Sequence, residues 1–313
     1  MTPILSIDTL LHSISHDPAL LVSRDAAASR KALPCEHVPW EFMTHTCLGP
    51  GNFTDQDVRE AARAYTGWFV LMGKERFIPR EHDEGEKCIL GETGNFGEEE
   101  VIRLLLKQPA TPRRLVRKLY GAFISETDEP SDALIAPLAE SFGKDYDITA
   151  LVERMLRSNL FFSPFAYRRR IKSPVEFALG IVAAMETPVS AVRLGQELAA
   201  LGQNVYEPPT SAGWPGGSSW INDAASLGRV NLAFALLAAG QAGEGKPDPA
   251  AIAKKYGFGE GEPAARFLVD LFLQGDLDPA ALQAVLEIDP GDPATAPRRT
   301  AHLVAALPEF QLA

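Results

Sequence analysis

Helix-start signals recur so often along this chain that it can fold into little other than a multi-helical protein. Thr54 stands before "DQDVREAARAYTGW", with acids in the first turn and an apolar stripe at Val58, Ala61, Ala62 and Tyr65. Glu98, Glu99 and Glu100 open "VIRLLLKQPA", where negative charge suits a helix N-terminus. That helix should stop before Pro109 and restart with Thr111 as cap and Pro112 at the first helical position. Asp147 caps "ITALVERMLRSNLFF", and Ser173-Pro174-Val175-Glu176 is a capping box.

The period changes between Trp68 and Leu90, where "WFVLM", "RFIP" and "KCIL" are short apolar runs split by Gly73-Lys74 and "REHDEGE". The expected fold class is therefore mainly α, multi-helical, with a small β or extended insertion around 68–90. Residues 238–249 are rich in Gly, Ala and Pro and read as a linker. The expected organisation is a main helical domain over 1–237, that linker, and a docked C-terminal helical subdomain over 250–313. Asp-Pro pairs at Asp248, Asp278, Asp289 and Asp292 punctuate the last part.

Composition narrows the partners. A formal charge of −11 disfavours non-specific attraction to nucleic acid. Three cysteines, Cys35, Cys47 and Cys88, do not make a disulfide framework, although an exported form leaves a Cys35–Cys47 bridge open. No run approaches the ~20 apolar residues of a membrane span. The first residues lack a signal peptide's pattern, so the sequence as it stands reads as cytoplasmic, and as exported if a leader has been lost.

Four clusters carry candidate chemistry. In "EHDEGEK", His82 has the chemistry of a base or metal ligand, with Asp83 as orienting group and Lys87 nearby. The competing reading is a solvated acidic turn in which Gly85 supplies a positive φ. The Cys35-Glu36-His37 and His45-Thr46-Cys47 triplets hold soft ligands, but the helix expected between them keeps the pairs ~12–15 Å apart, against one shared metal. Arg113, Arg114, Arg117 and Lys118 form a basic stripe, and "YRRRIK" adds Arg168, Arg169, Arg170 and Lys172. Both suit an anion or an acidic partner, unless neighbouring Asp and Glu pair with them. Finally, "EPPTSAGWPGGSSWIN" (207–222) sets Trp214 and Trp220 beside Gly216 and Gly217, with Tyr206 just upstream. Aromatic faces beside glycines can stack a sugar, or can plug gaps between helices.

Several stretches together resemble the bacterial DUF1800 family: "FTDQDVREAARAYTGW" (53–68), "HDEGEK" (82–87), "QPATPRRLVRKLYGAFI" (108–124), "YDITALVERMLRS" (146–158), "RIKSPVEFALG" (170–180), "LGQNVYEPPTSAGWPGGSSWIN" (201–222) and the closing "LPEFQLA". The resemblance implies a mainly helical bacterial protein, often exported and often encoded beside sulfatase-like proteins, and it transfers no catalytic residues. It makes hallmarks of His82, Asp83, Gly85 and Lys87, and of Ala212 to Gly217. The chain departs from the family pattern at Cys35, His37 and Trp40, and lacks an N-terminal region that members usually carry, as a divergent or truncated member would.

Two functional expectations follow. In the first, the protein is a non-catalytic binding or assembly protein, with Trp214, Gly216, Gly217, Trp220, Arg170 and Lys172 contacting a protein or a glycan-like ligand. In the second it is a hydrolase-like enzyme, with or without metal assistance, in which His82, Asp83 and Lys87 face an aromatic pocket. Metal, cofactor and oligomeric state are left unassigned.

Overall fold

In the computed structural model, which describes residues 6–210, 213–237, 247–287 and 295–313, the capping signals become helix boundaries. The chain divides into two units, Met1–Ala166 and Tyr167–Ala313.

The first unit contains α1 (Ile7–Ser15), α2 (Pro18–Ser23), α3 (His37–Glu41), a π-helical turn (Phe42–Cys47) and α4 (Asp55–Ala64). Two hairpins follow, β1 (Trp68–Leu71) with β2 (Lys74–Phe77), and β3 (Lys87–Ile89) with β4 (Glu92–Gly94). The unit ends with α5 (Glu98–Lys107), α6 (Ala110–Phe123), α7 (Asp132–Phe142) and α8 (Ile148–Leu156). Both hairpins turn through two residues at positive φ, Met72-Gly73 and Leu90-Gly91, the geometry that matches strand twist. Val58, Ala61, Ala62 and Tyr65 are buried as their spacing predicts. The core also takes Leu11, Phe42, Met43, Ile102, Leu105 and Ile135.

Thr54 caps α4 through a reciprocal pair with Asp57. The restart after Gln108 differs from the sequence expectation: α6 begins at Ala110, two residues before Pro112. Thr111 is not the cap. Its buried hydroxyl donates to the Leu105 carbonyl at the end of α5, and Pro112 is tolerated because first-turn N–H groups have no helical partner.

The second unit contains α9 (Pro174–Ala184), α10 (Ala191–Ala200), α11 (Asp223–Leu237), α12 (Pro249–Lys255), α13 (Glu262–Leu273), α14 (Pro279–Glu287) and α15 (Ala296–Ala306). Its core joins Phe177, Ile181 and Met185 to Leu232, Leu268, Phe272, Val304 and Phe310, so helices before and after 238–249 share it. Residues 238–246 of the expected linker, Asp289 and Asp292 lie outside the described residues, as does Ala212. The fold is mainly α with a small β insertion, and no helix among the described residues is long and apolar enough to cross a membrane.

Candidate functional site

The polar face of α4 organises the 82–90 segment. Asp57, Glu60 and Arg63 recur every three residues, which aligns them along one side of a helix. The Asp57 carboxylate accepts from Leu90 N–H at 2.7 Å, and that of Glu60 accepts from Cys88 N–H at 3.3 Å. Arg63 donates Nε and Nη2 to the two oxygens of Asp83 at 2.8 and 3.2 Å, and Nη1 to Glu60 at 2.7 Å. Burial alone would raise the Asp57 carboxyl, but hydrogen bonds from Thr54 and Leu90 outweigh it and hold it below the usual range.

Each hallmark side chain of this segment is tied to the protein itself. The Arg63 hydrogen bonds hold the Asp83 carboxyl below its usual range, and Gly85 N–H adds another at 2.8 Å. The Asp83 N–H donates to the Thr66 hydroxyl at 2.8 Å. His82 Nδ1 lies 2.8 Å from the Thr66 carbonyl, which makes Nδ1 the protonated nitrogen and leaves the lone pair on Nε2. Lys87 is 1% exposed. Its ammonium donates to the Asp83 and Gly85 carbonyls at 2.6 and 3.0 Å and to Asn95 Oδ1 at 3.4 Å, and burial pulls its pKa down. Gly85 does not adopt positive φ, contrary to the turn reading. It is glycine because the Arg63 guanidinium passes over it. His82 also packs its ring 5.5 Å from Phe77, whose ring lies 5.2 Å from Trp68.

Two participants in the first unit carry no obvious sequence signal. Glu98 does not face solvent at its helix start. Its side chain is 4% exposed and meets His16 Nε2 at 3.1 Å. The His16 ring stands edge-on to Trp68 at 4.0 Å. The Glu98 hydrogen bond raises the His16 pKa against the effect of burial.

The two soft-ligand triplets lie in different surroundings. Cys47 is fully buried, and burial pushes its thiol up to about 12. The Cys35 thiol and His37 Nδ1 both meet the Arg24 carbonyl, at 3.4 and 2.9 Å. Cys35, His37 and Trp40, the positions that depart from the resemblance, line one cavity of about 670 Å³. All three cysteines are free, and among the described residues no three His, Cys, Asp or Glu side chains are grouped to hold a metal.

In the second unit, Gly213, Gly216 and Gly217 all adopt positive φ, so the glycines of the 207–222 loop are required by its backbone. Trp220 is buried. Trp214 is half-buried, and its indole N–H is enclosed without a hydrogen-bond partner among the described residues. Tyr206 is 94% exposed and held at φ 69°, unusual for a bulky residue. The Arg170 side chain pairs with Glu176 at 2.7 Å, and Lys172 Nζ donates to the Phe310 carbonyl at 2.9 Å. Their backbones pair with the chain end through Ile171 and Leu312. Arg229, 1% exposed, donates to the Lys172 carbonyl and Gln311, and burial lowers its pKa to about 10. His82, Asp83 and Lys87 thus belong to the first unit, and the aromatic loop, Arg170 and Lys172 to the second.

A family model described as "Protein of unknown function (DUF1800)" matches residues 6–312. No curated protein and no solved structure matches the chain.

Proposed function

The chain belongs to the DUF1800 family, and from the chemistry of its hallmark residues we propose that it is a non-catalytic binding protein. The observation that carries this reading is the engagement of the His-Asp-x-Gly-x-Lys segment with its own fold. A general base needs an ionisable group within reach of a substrate proton, and a nucleophile needs a base beside it. Asp83 instead pairs with Arg63, and Lys87 is enclosed by three oxygens, so neither is left to work beside His82, whose Nδ1 donates to a backbone carbonyl rather than to an orienting carboxylate. The segment acts as a knot that fastens the hairpins to α4.

The contact surface falls to the loop of the second unit. Tyr206 presents an aromatic face to solvent on a backbone stiffened by Pro208 and Pro209, a combination that suits stacking on a glycan-like ring or insertion into a protein partner. The alternative, a hydrolase using His82, rests on Nε2, the ring nitrogen that the Thr66 carbonyl does not hold.

A glycan array and a cross-linking assay on the intact chain test the proposal. Tyr206→Ala should abolish capture of whatever ligand the wild type retains, while His82→Gln should leave it unchanged. Hydrolytic turnover abolished by His82→Gln would instead favour the enzyme.

A further inference from the structure

A second candidate site lies on α6. The π-helical turn places Pro50, which has no N–H, five residues after His45, and Gly49 N–H turns to the Met43 carbonyl instead. The His45 carbonyl is thereby left without a backbone donor. Arg114 Nε and Nη2, at 3.4 and 3.3 Å, and Lys118 Nζ, at 2.8 Å, fill that role. A Cβ on Gly49 would meet Arg114 Nη1 at 2.5 Å, so the glycine makes room for the guanidinium.

The consequence is electrostatic. The carbonyl engages one edge of the guanidinium and one ammonium hydrogen, which leaves further N–H groups on both and neutralises neither charge, and neither Arg114 nor Lys118 forms an ion pair among the described residues. Arg113 and Arg117 share one carboxylate, Asp132, at 3.7 and 2.7 Å. All four cations line a cavity of about 540 Å³. Positive charge is therefore concentrated on this face of α6 even though the chain as a whole is acidic, and the carboxylates that balance it stand across the cavity rather than in ion pairs with Arg114 and Lys118. The same cavity is lined by three carboxylates of the segment after α6, Glu126, Asp128 and Glu129, of which Asp128 accepts from the buried Ser125 hydroxyl at 2.8 Å.

We propose that this cavity binds a small zwitterionic phosphate ester, its phosphate held by Arg114 and Lys118 and its cationic end by Asp128 and Glu129. Charge-assisted hydrogen bonds from a fork and an ammonium suit the phosphate oxygens. Carboxylates lining the same cavity discriminate against simple anions. The site is independent of His82 and of the aromatic loop, so its failure would leave the non-catalytic reading intact.

Isothermal titration of the full chain with phosphoethanolamine, inorganic phosphate and ethanolamine tests it. Phosphoethanolamine should bind about 10-fold more tightly than phosphate, and ethanolamine should not bind. Lys118→Met should weaken phosphoethanolamine by about 10-fold or more, and Asp128→Asn should bring it to the level of phosphate. Arg113→Gln, which leaves Arg117 on Asp132 and so spares the fold, should weaken both phosphates. Competition by phosphatidylethanolamine vesicles would assign the ester to a lipid headgroup, and its absence to a soluble molecule; either is consistent with the site. No binding of either phosphate, equal binding of both, or affinities unmoved by Lys118→Met and Arg113→Gln would overturn it.

Discussion

A Cβ on Gly85 would lie 2.7 Å from Arg63 Nη2 and 2.9 Å from Asp83 Oδ1, and both contacts fall on the bidentate pair that holds the loop. Gly85→Ala should therefore push the guanidinium off Asp83 and cost about 1–3 kcal/mol in urea unfolding, although the residue lies at the surface. Gly67 is constrained twice, by φ +93° and by Phe77 and His82 packed at 2.7 and 3.1 Å from where its Cβ would be. The Asp83–Arg63 pair also sets a pH dependence. Because the folded carboxyl lies below the ordinary value of ~3.9, its stabilisation is complete above that pH and lost as the pH falls through the folded value. Urea midpoints between pH 6 and pH 2 should show a shallower acid slope for Asp83→Asn than for the wild type.

At the scale of elements, α1 is fastened to α5 by the His16–Glu98 pair. Glu75 on β2 and Glu99 on α5 add to the negative field at the imidazole. Since the folded His16 pKa is raised, the pair stabilises fully below the ordinary His value of ~6.5, and this is lost as the pH rises through the folded value. The wild type should lose stability across that window while His16→Gln shows a flatter profile, as urea midpoints at stepped pH will report. Helix starts at Thr54, Asp147 and Ser173 were legible because capping is local, joining residues three apart. Arg63–Asp83 and His16–Glu98 were not, because each joins residues that only the tertiary fold brings together. Lys87 was misleading for a related reason. Within "EHDEGEK" it reads either as a partner of His82 and Asp83 or as part of a solvated turn, and only the curl of the loop supplies the carbonyls that let it be buried. The loop glycines were legible, since three of them beside Trp214 have few explanations other than a backbone that needs them.

At the scale of the molecule, each unit has its own apolar core, and Phe177 is fully buried at the centre of the second. Phe177→Ala should cost about 3–5 kcal/mol and reduce hydrogen-exchange protection in α9, α13 and α15. The functional account assigns the family's His-Asp-x-Gly-x-Lys hallmark to architecture and binding to surfaces elsewhere. That division is tested most directly by one comparison, urea unfolding of Lys87→Met and Asp83→Asn beside the wild type, with a hydrolysis screen run on the same samples. The account predicts midpoints lowered by the equivalent of about 2–4 kcal/mol for Lys87→Met, which strands two carbonyls, with a smaller loss for Asp83→Asn and no turnover in any sample. Unchanged midpoints together with a wild-type hydrolysis that both variants abolish would contradict it.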